Sequence, residues 1–462
     1  MSSTDTIAAI ATARGRAALA ILRVSGPEAL DVANVCFRGA NLTQVPSHTV
    51  HMGYLTAKDG GDIDQVVATV FRAPRSATGE DVVEITCHGG DFAPTLILQS
   101  LLAHGARMAE PGEFTQRGFL NGKLDLAQAE SVADLIHASS SRAHRVSLQH
   151  LQGRYSHLLE SVRTELLDLC AFVELELDFA EEDVEFADRE RLVTLLTNTE
   201  ALLNQLLASY HVGALIRDGV RVVIGGRPNA GKSTLLNALL GRDRAIVSAT
   251  PGTTRDEIEG EIEVDGLLLR FVDTAGLRDT ADAIEAEGVR RAERSIASGD
   301  ALLYVYDLQA GLDPDEHAFL ERLHADQAEL PILLVGNKRD LVSNATAPEV
   351  PSDIRFRALS AEQGFADADE IKPLLHDLIA HVTERLSGTE SSAVVMNQRH
   401  RQHLRHALDA IRRAQTALAY DASGDTLALD LRQALHELGS ITGEVTTEDI
   451  LGQIFSRFCI GK

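Results

Sequence analysis

The chain has 462 residues, with 43 Lys and Arg against 68 Asp and Glu, a formal net charge of -25. That balance excludes a broad electrostatic grip on nucleic acid or an anionic membrane, while leaving room for a local basic patch. Its apolar share of 44% and charged share of 24% are those of an ordinary globular protein, and the length suits about three domains.

The Ala-rich start is broken by Asp5, Arg14 and Arg16, so it reads poorly as a signal peptide. No stretch approaches the ~18 apolar residues of a membrane helix, and a cytoplasmic protein without membrane contact is expected. Cys36, Cys87, Cys170 and Cys459 lie far apart with no CxxC pair. This argues for a reducing compartment and against a disulfide framework or zinc ribbon. Apolar neighbours mark Cys36 and Cys170 as small core residues.

Residues 1–119 read as mixed α/β. Strand-length apolar runs occur at Ala18–Val24, Val66–Phe71 and Asp81–Cys87, and helical spacing at Thr95–His104. From 120 to about 215 the period becomes helical: Leu151, Leu158, Leu159, Val162, Leu166, Leu169 and Val173 form one apolar face. The acidic run Glu181-Glu182-Asp183 reads as a solvated turn. From 219 to 383 strands alternate with helices, as in a mostly parallel sheet with crossover helices. Helical patterns return at His400–Ala419 and Leu427–Leu438. The expected layout is an α/β nucleotide domain inserted into an all-α domain, whose helices before and after the insertion pack together.

Gly219–Gly225 is a buried-type strand, followed by Gly226-Arg227-Pro228-Asn229-Ala230-Gly231-Lys232-Ser233 and a helix opening Thr234-Leu235-Leu236. This is the GxxxxGK[ST] phosphate loop in its strand–loop–helix setting. Backbone N–H groups and the helix dipole favour phosphates there, Lys232 reaches the β/γ-phosphates and Ser233 can ligate Mg²⁺. Gly252-Thr253-Thr254-Arg255-Asp256 offers a second hydroxyl to the metal. Asp273-Thr274-Ala275-Gly276 follows the strand Leu267–Val272; Asp273 can hold the metal through water and the Gly276 N–H can meet the γ-phosphate. Asn337-Lys338-Arg339-Asp340 follows Ile332–Val335, and Asp340 can accept two N–H bonds from a guanine edge, which adenine cannot supply. Ser360-Ala361, after Phe356–Leu359, completes the base pocket. Four ordered elements specify a P-loop GTPase domain, Ras-like in plan.

The hydrolytic part is less ordinary. Leu277 occupies the place where many such switches carry a water-orienting Gln. The acids Asp279, Asp282, Glu285 and Glu287 follow, one of them a candidate to orient water and the others a solvated loop. Arg255 and Arg278 are the candidates for an arginine finger in cis; alternatively a monovalent cation supplies the charge, with the Asn229 side chain as an oxygen ligand.

Nearly the whole chain resembles the MnmE (TrmE) family of tRNA-modifying GTPases. The likeness rests on Asp5-Thr6-Ile7, Ile21-Leu22-Arg23-Val24-Ser25-Gly26, Thr78-Gly79-Glu80-Asp81, His88-Gly89-Gly90 and Pro111-Gly112-Glu113-Phe114-Thr115. It extends through the run Phe119–Glu130, the phosphate loop GRPNAGKS and the ending Phe458-Cys459-Ile460-Gly461-Lys462. The resemblance implies an α+β folate-binding and dimerising domain over 1–119, a helical domain over 120–218 and 384–462, and the inserted G domain over 219–383. It implies 5-formyltetrahydrofolate or a related reduced folate bound by Arg23, Glu80, Lys123 and Lys462. Chemically, Glu80 can accept from pterin N–H groups while Arg and Lys suit a carboxylate tail; surface ion pairs are the alternative reading.

The resemblance further implies GTP and GDP contacts from Asn229 to Thr234, from Ser248, Ala249, Thr250, Pro251 and Gly252 to Thr253 and Thr254, from Asp273, Thr274, Ala275 and Gly276, and from Asn337, Lys338, Asp340, Ser360 and Ala361. Mg²⁺ falls to Ser233 and Thr254. K⁺ falls to Asn229, Ser248, Thr250 and Thr253, and Glu285 serves hydrolysis beside Lys232. Potassium and G-domain pairing across a homodimer then replace an arginine finger. Pro251 stands where a small residue such as Ala is expected. Cys459 is a candidate catalytic thiol, with a structural thiol as the alternative. The implied partner is the flavoprotein MnmG (GidA), which carries FAD, in a heterotetramer-type complex that modifies C5 of the tRNA wobble uridine. Arg399, His400, Arg401, His403, Arg405, His406, Arg412 and Arg413 form the most basic segment, either a contact for RNA phosphates or a solvated helix face. A ribosome-assembly GTPase acting as a timer is the competing class; it calls for an appended RNA-binding module such as a KH domain.

Overall fold

The computed structural model describes residues 5–178, 189–241, 260–273, 295–384, 394–420, 424–445, 448–456 and 458–461. These fall into two compact units. One comprises Met1–Ile136, Leu148–Leu196 and His406–Lys462, the other His137–Ser147 and Thr197–Arg405.

In the first unit, β1 (Ile7–Ile10), β2 (Leu19–Ser25), α1 (Ala29–Cys36), β3 (Phe37–Arg38), β4 (Thr49–Thr56), β5 (Asp62–Phe71), β6 (Val82–His88), α2 (Ala93–Ala103) and β7 (Arg107–Met108) build an α+β layer. The seven strands pair in the order β3-β4-β5-β6-β2-β1-β7, antiparallel throughout except for β1 with β7. Alternation explains the sheet. Val66, Ala68 and Val70 of β5 and Val83, Ile85 and Cys87 of β6 point into one core with Leu30 and Ala33 of α1 and Ile97 and Leu101 of α2, while Gln65, Val67, Glu84 and Thr86 between them alternate onto the less buried face. β4 escapes recognition in the sequence because Gly53 interrupts its apolar pattern. A Cβ there would lie 2.4 Å from the Phe37 ring, so a side chain has no room.

The helices α3 (Glu113–Leu120), α4 (Leu126–His137), α5 (Ser141–Leu151), α6 (Arg154–Asp178) and α7 (Arg189–Asp218) follow. After the α/β segment come α12 (Gln398–Ala419), α13 (Gly424–Thr442) and α14 (Glu448–Phe455). Within the first unit α6 packs against α13, and Arg163 of α6 pairs with Glu444 just beyond α13. Cys36 and Cys170 are buried, as their apolar neighbours predict.

The second unit contains β8 (Val220–Gly225), α8 (Lys232–Leu240), β9 (Gly260–Val264), β10 (Leu267–Asp273), β11 (Ala301–Asp307), α9 (Pro314–Asp326), β12 (Ile332–Asn337), β13 (Arg355–Ala358), α10 (Ala361–Ala366) and α11 (Lys372–Glu384). The strand order is β13-β12-β11-β8-β10-β9. All pairs are parallel except β9 with β10. β11 and β12 are buried almost throughout, the near-continuous apolar signature of strands covered on both faces. Leu303, Val305, Leu333 and Val335 enter one core, and Leu302, Tyr304, Leu334 and Leu320 the other. The last turns of α7 belong to this unit: the Ser209 hydroxyl accepts from the Val395 amide at 3.0 Å. Among the described residues no helix is long and apolar enough to cross a membrane.

Candidate functional site

Parallel strands bring their C-terminal ends to one edge of a sheet, where ligands bind in open α/β folds. β8 ends in Gly225 beside Tyr304 of β11, and β11 ends in Asp307 opposite Asn337 of β12. Asp273 closes β10 in register with Ile224. The phosphate loop, Asp273 and the NKRD sequence therefore meet one edge of the sheet for a topological reason.

The loop from Gly226 to Gly231 is shaped by two positive-φ glycines. A Cβ on Gly226 (φ +133) would lie 2.0 Å from the Val305 carbonyl, and one on Gly231 (φ +96) would lie 2.1 Å from Asn337 Nδ2. Neither position admits a side chain. Lys232, buried at the first turn of α8, donates from Nζ to the carbonyls of Gly226 at 2.8 Å and Arg227 at 2.9 Å. Two of the ammonium's three donors are thus directed at loop carbonyls, which fixes the head against the Gly226–Arg227 backbone. Ser233 is exposed on the same turn, and Asn229 is exposed in the left-handed region at φ 65.

Asn337 braces the site. Its Nδ2 donates to the Ala230 carbonyl at 2.8 Å, and its Oδ1 accepts from the amides of Lys338 at 2.8 Å and Ala361 at 2.9 Å. One side chain, 3% exposed, thereby ties the phosphate loop to the NKRD and Ser360-Ala361 segments. Lys338 (φ 64) donates to Asp307 Oδ2 at 2.6 Å. Burial pushes Asp307 up, but that bond and the Gln309 amide outweigh it and hold the carboxyl below its ordinary range. Asp340 sits exposed in a short 3-10 turn. Ser360 is buried and caps α10 by accepting from the Gln363 amide at 3.3 Å.

A second candidate site lies in the α+β layer. Arg23 of β2 donates through Nε and Nη2 to Glu84 Oε1 at 3.0 and 2.7 Å, and its guanidinium lies 5.6 Å from the centroid of the Phe114 ring. Glu80 accepts from Ser25 Oγ at 2.7 Å and from Arg117 Nη1 at 3.2 Å on each oxygen. Lys123 donates to the Pro74 carbonyl at 3.0 Å. Gly79 (φ +80) lies against it, a Cβ there falling 3.4 Å from Lys123 Cγ. Ser25, which binds Glu80, lies two residues from Arg23 on β2, and Gly79, which lies against Lys123, precedes Glu80 in the chain. The C-terminal tail is pinned to the N-terminal end of α3: Gly112 N–H donates to the Cys459 carbonyl at 3.3 Å, and Ile460 bridges Pro111. Cys459 itself is exposed.

Arg117 is the residue the sequence conceals. Its side chain, 7% exposed, donates to Asp5 Oδ1 at 2.6 Å, Glu113 Oε1 at 2.9 Å and Glu80. Arg107 completes the cluster by donating to Asp5 at 2.8 Å and to Glu113 at 2.7 Å. Hydrogen bonds from Arg107 above all hold Asp5 below the usual carboxylate range. Burial pushes Glu113 up, but Arg107, the Glu110 amide and Arg117 together bring it below that range.

The predicted positions Ser248, Ala249, Thr250, Pro251, Gly252, Thr253, Thr254, Thr274, Ala275, Gly276, Glu285 and Lys462 lie outside the described residues, as do Arg255, Arg278 and the side chain of Asp273.

Known proteins agree with this chain from end to end. Residues 6–123 match the family described as the GTP-binding protein TrmE N-terminus, and residues 126–459 match the MnmE helical domain. The tRNA modification GTPase MnmE of Salinibacter ruber is 64% identical over 100% of both chains. The protein belongs to the MnmE family. The MnmE of Cytophaga hutchinsonii is 45% identical over 99% of this chain and 98% of its own. Among solved structures, that of Era with MgGDPNP and part of 16S ribosomal RNA is 26% identical, with a TM-score of 0.25 over 34% of this chain and 56% of that one, a score that carries no argument.

As a member of the MnmE family the chain is a GTPase with a P-loop α/β domain inserted among helices and preceded by an α+β layer. The basic segment is partly spent internally. Arg401 stacks 4.6 Å from the Tyr210 ring centroid, Arg413 pairs with Asp430 at 2.7 Å and His406 lies 3.6 Å from Glu437.

Proposed function

We propose that this GTPase, with the flavin-dependent partner MnmG that carries FAD, modifies C5 of the wobble uridine of certain tRNAs in the cytoplasm. The one-carbon unit is drawn from a formyl-tetrahydrofolate-type donor. The observation that carries this reading is agreement over the full length of both chains with a tRNA modification GTPase, α+β layer included.

In this reading the α8 amides and Lys232 bind the β- and γ-phosphates of GTP, and Asp340 with Ser360 and Ala361 receives the guanine. Ser233 and Thr254 would hold Mg²⁺, with Asp273 acting through water; the ion neutralises charge on the phosphates. The exposed Ser233 at the start of α8 is consistent with that role. Asn229, Ser248, Thr250 and Thr253 would hold K⁺, which supplies positive charge in place of an arginine finger when G domains pair across a homodimer. Glu285 orients the attacking water.

Arg23, Glu80, Lys123 and Lys462 would hold the folate. Glu80 suits this because Arg117 and Ser25 hold its carboxyl group in place, while a carboxylate offers about four acceptor positions. The layout that goes with this reading is 1–119 for folate and dimerisation, 120–218 with 384–462 for the helices, and 219–383 for GTP.

Nucleoside mass spectrometry of tRNA from cells lacking the chain tests the assignment. The C5 group should disappear from wobble uridines, and its persistence would overturn the reading.

A further inference from the structure

Arg227, the second residue of the phosphate loop, has a side chain that meets the start of α9. Its guanidinium meets Asp313 on two parallel bonds, Nη1 to Oδ2 at 2.9 Å and Nη2 to Oδ1 at 2.8 Å, with Nε 3.8 Å from Glu316 Oε2. Asp313 is the N-cap of α9: its Oδ1 accepts from the Asp315 amide at 2.9 Å, and Glu316 Oε2 accepts from the Asp313 amide at 3.1 Å. Glu316 is buried and its other oxygen accepts from Tyr304 O–H at 3.0 Å. Tyr304 lies on β11 beside Gly225, the residue that enters the loop. The loop and the first turn of α9 are therefore joined by a closed set of side-chain contacts.

The backbone of the same residue has a second task. The Arg227 carbonyl accepts from Lys232 Nζ at 2.9 Å and from the Ala230 amide at 3.4 Å. Between these roles stands Pro228, which restricts the backbone of the residue before it. The carbonyl that accepts from Lys232 and the guanidinium that meets Asp313 thus belong to one residue with a restricted backbone.

We propose that Arg227 is a positioning residue for GTP turnover: its ion pair with Asp313 anchors the loop to α9 and keeps Lys232 aimed. This rests on Lys232 gripping the phosphates, which Lys232→Ala tests separately by loss of nucleotide binding.

The experiment is release of a fluorescent GDP analogue from the full-length protein by stopped flow. Arg227→Ala should release GDP about two- to fivefold faster, the range of a half-exposed ion pair. Asp313→Asn keeps the helix cap, loses the charge and should match it. The double variant should be no faster than either single one, because both remove the same contact. Arg227→Lys should fall between, since an ammonium cannot reproduce a two-bond fork. Added salt should speed release from the unaltered protein and leave Arg227→Ala unmoved. Unchanged release in Arg227→Ala, or multiplicative effects in the double variant, overturns the proposal. Tight GDP binding by Lys232→Ala instead removes the reading of the loop itself.

Discussion

The Asn337 side-chain amide donates to the Ala230 carbonyl over 2.8 Å, linking residues 107 positions apart. Asn337 also accepts two backbone amides, so three of its hydrogen-bonding positions are filled inside the protein. It thereby holds Ala230 of the phosphate loop, Lys338 and Ala361 in one arrangement, the frame of the proposed nucleotide site.

Asn337→Ala leaves a buried carbonyl and a buried amide without their partner, at about 1–3 kcal/mol each. GDP and GTP affinities should fall together by at least about tenfold. Isothermal calorimetry measures both. Unchanged affinity for either nucleotide would show that the brace is dispensable.

Gly231→Ala places a methyl 2.1 Å from Asn337 Nδ2 at a φ of +96. Backbone strain of about 1–3 kcal/mol adds to the clash. Loss of measurable GDP binding is expected, with strand content by circular dichroism unchanged. Normal GDP binding by this variant would contradict the loop geometry.

Arg117→Met removes the cation that Glu80 and Glu113 share and leaves Glu113 with Arg107, and breaking a buried pair from one side costs about 3–5 kcal/mol. In scanning calorimetry of the full chain, the transition that GDP does not raise should drop by several degrees. The double variant Arg117→Met with Glu113→Gln should recover part of the loss. A drop confined to the GDP-responsive transition would refute the assignment of this cluster.

The same cluster sets an acid limit. Asp5 and Glu113 have folded pKa values below their unfolded ones, so their contribution is whole above the ordinary carboxylate value of about 4 and drains away as pH falls through the folded values. The GDP-insensitive transition should lose melting temperature below about pH 4, and Glu113→Gln should flatten that profile. An identical acid profile in Glu113→Gln would argue that other carboxylates are responsible.

Glu285→Ala should abolish GTP turnover and leave GTP affinity nearly intact, the pattern of an interaction made only in the transition state. Wild-type turnover should be faster in potassium than in sodium. Weakened binding with normal turnover, or equal rates in the two salts, would remove these roles.

Contiguous chemistry was legible without coordinates. Gly226–Ser233, Asp273–Gly276 and Asn337–Asp340 each occupy a few successive residues after an apolar strand, so their order alone specified a GTPase on a parallel sheet. Strands β2 and β5 showed as short apolar runs and β6 as an alternating one, whereas β4 did not show, because Gly53 makes room for the Phe37 ring.

What the tertiary structure decided is which charges meet. Arg107 and Arg117 stand in none of the sequence motifs and Glu80 reads as a candidate folate ligand, yet the fold joins them with Asp5 and Glu113, up to 112 residues apart, in one partly buried cluster. Arg227 reads as a phosphate-loop cation until β11 and α9 draw its side chain to Asp313. A motif records local backbone need, which a short stretch of chain can encode. Charge pairing depends on strand order and on burial that strengthens electrostatics, and both exist only once the distant segments have packed.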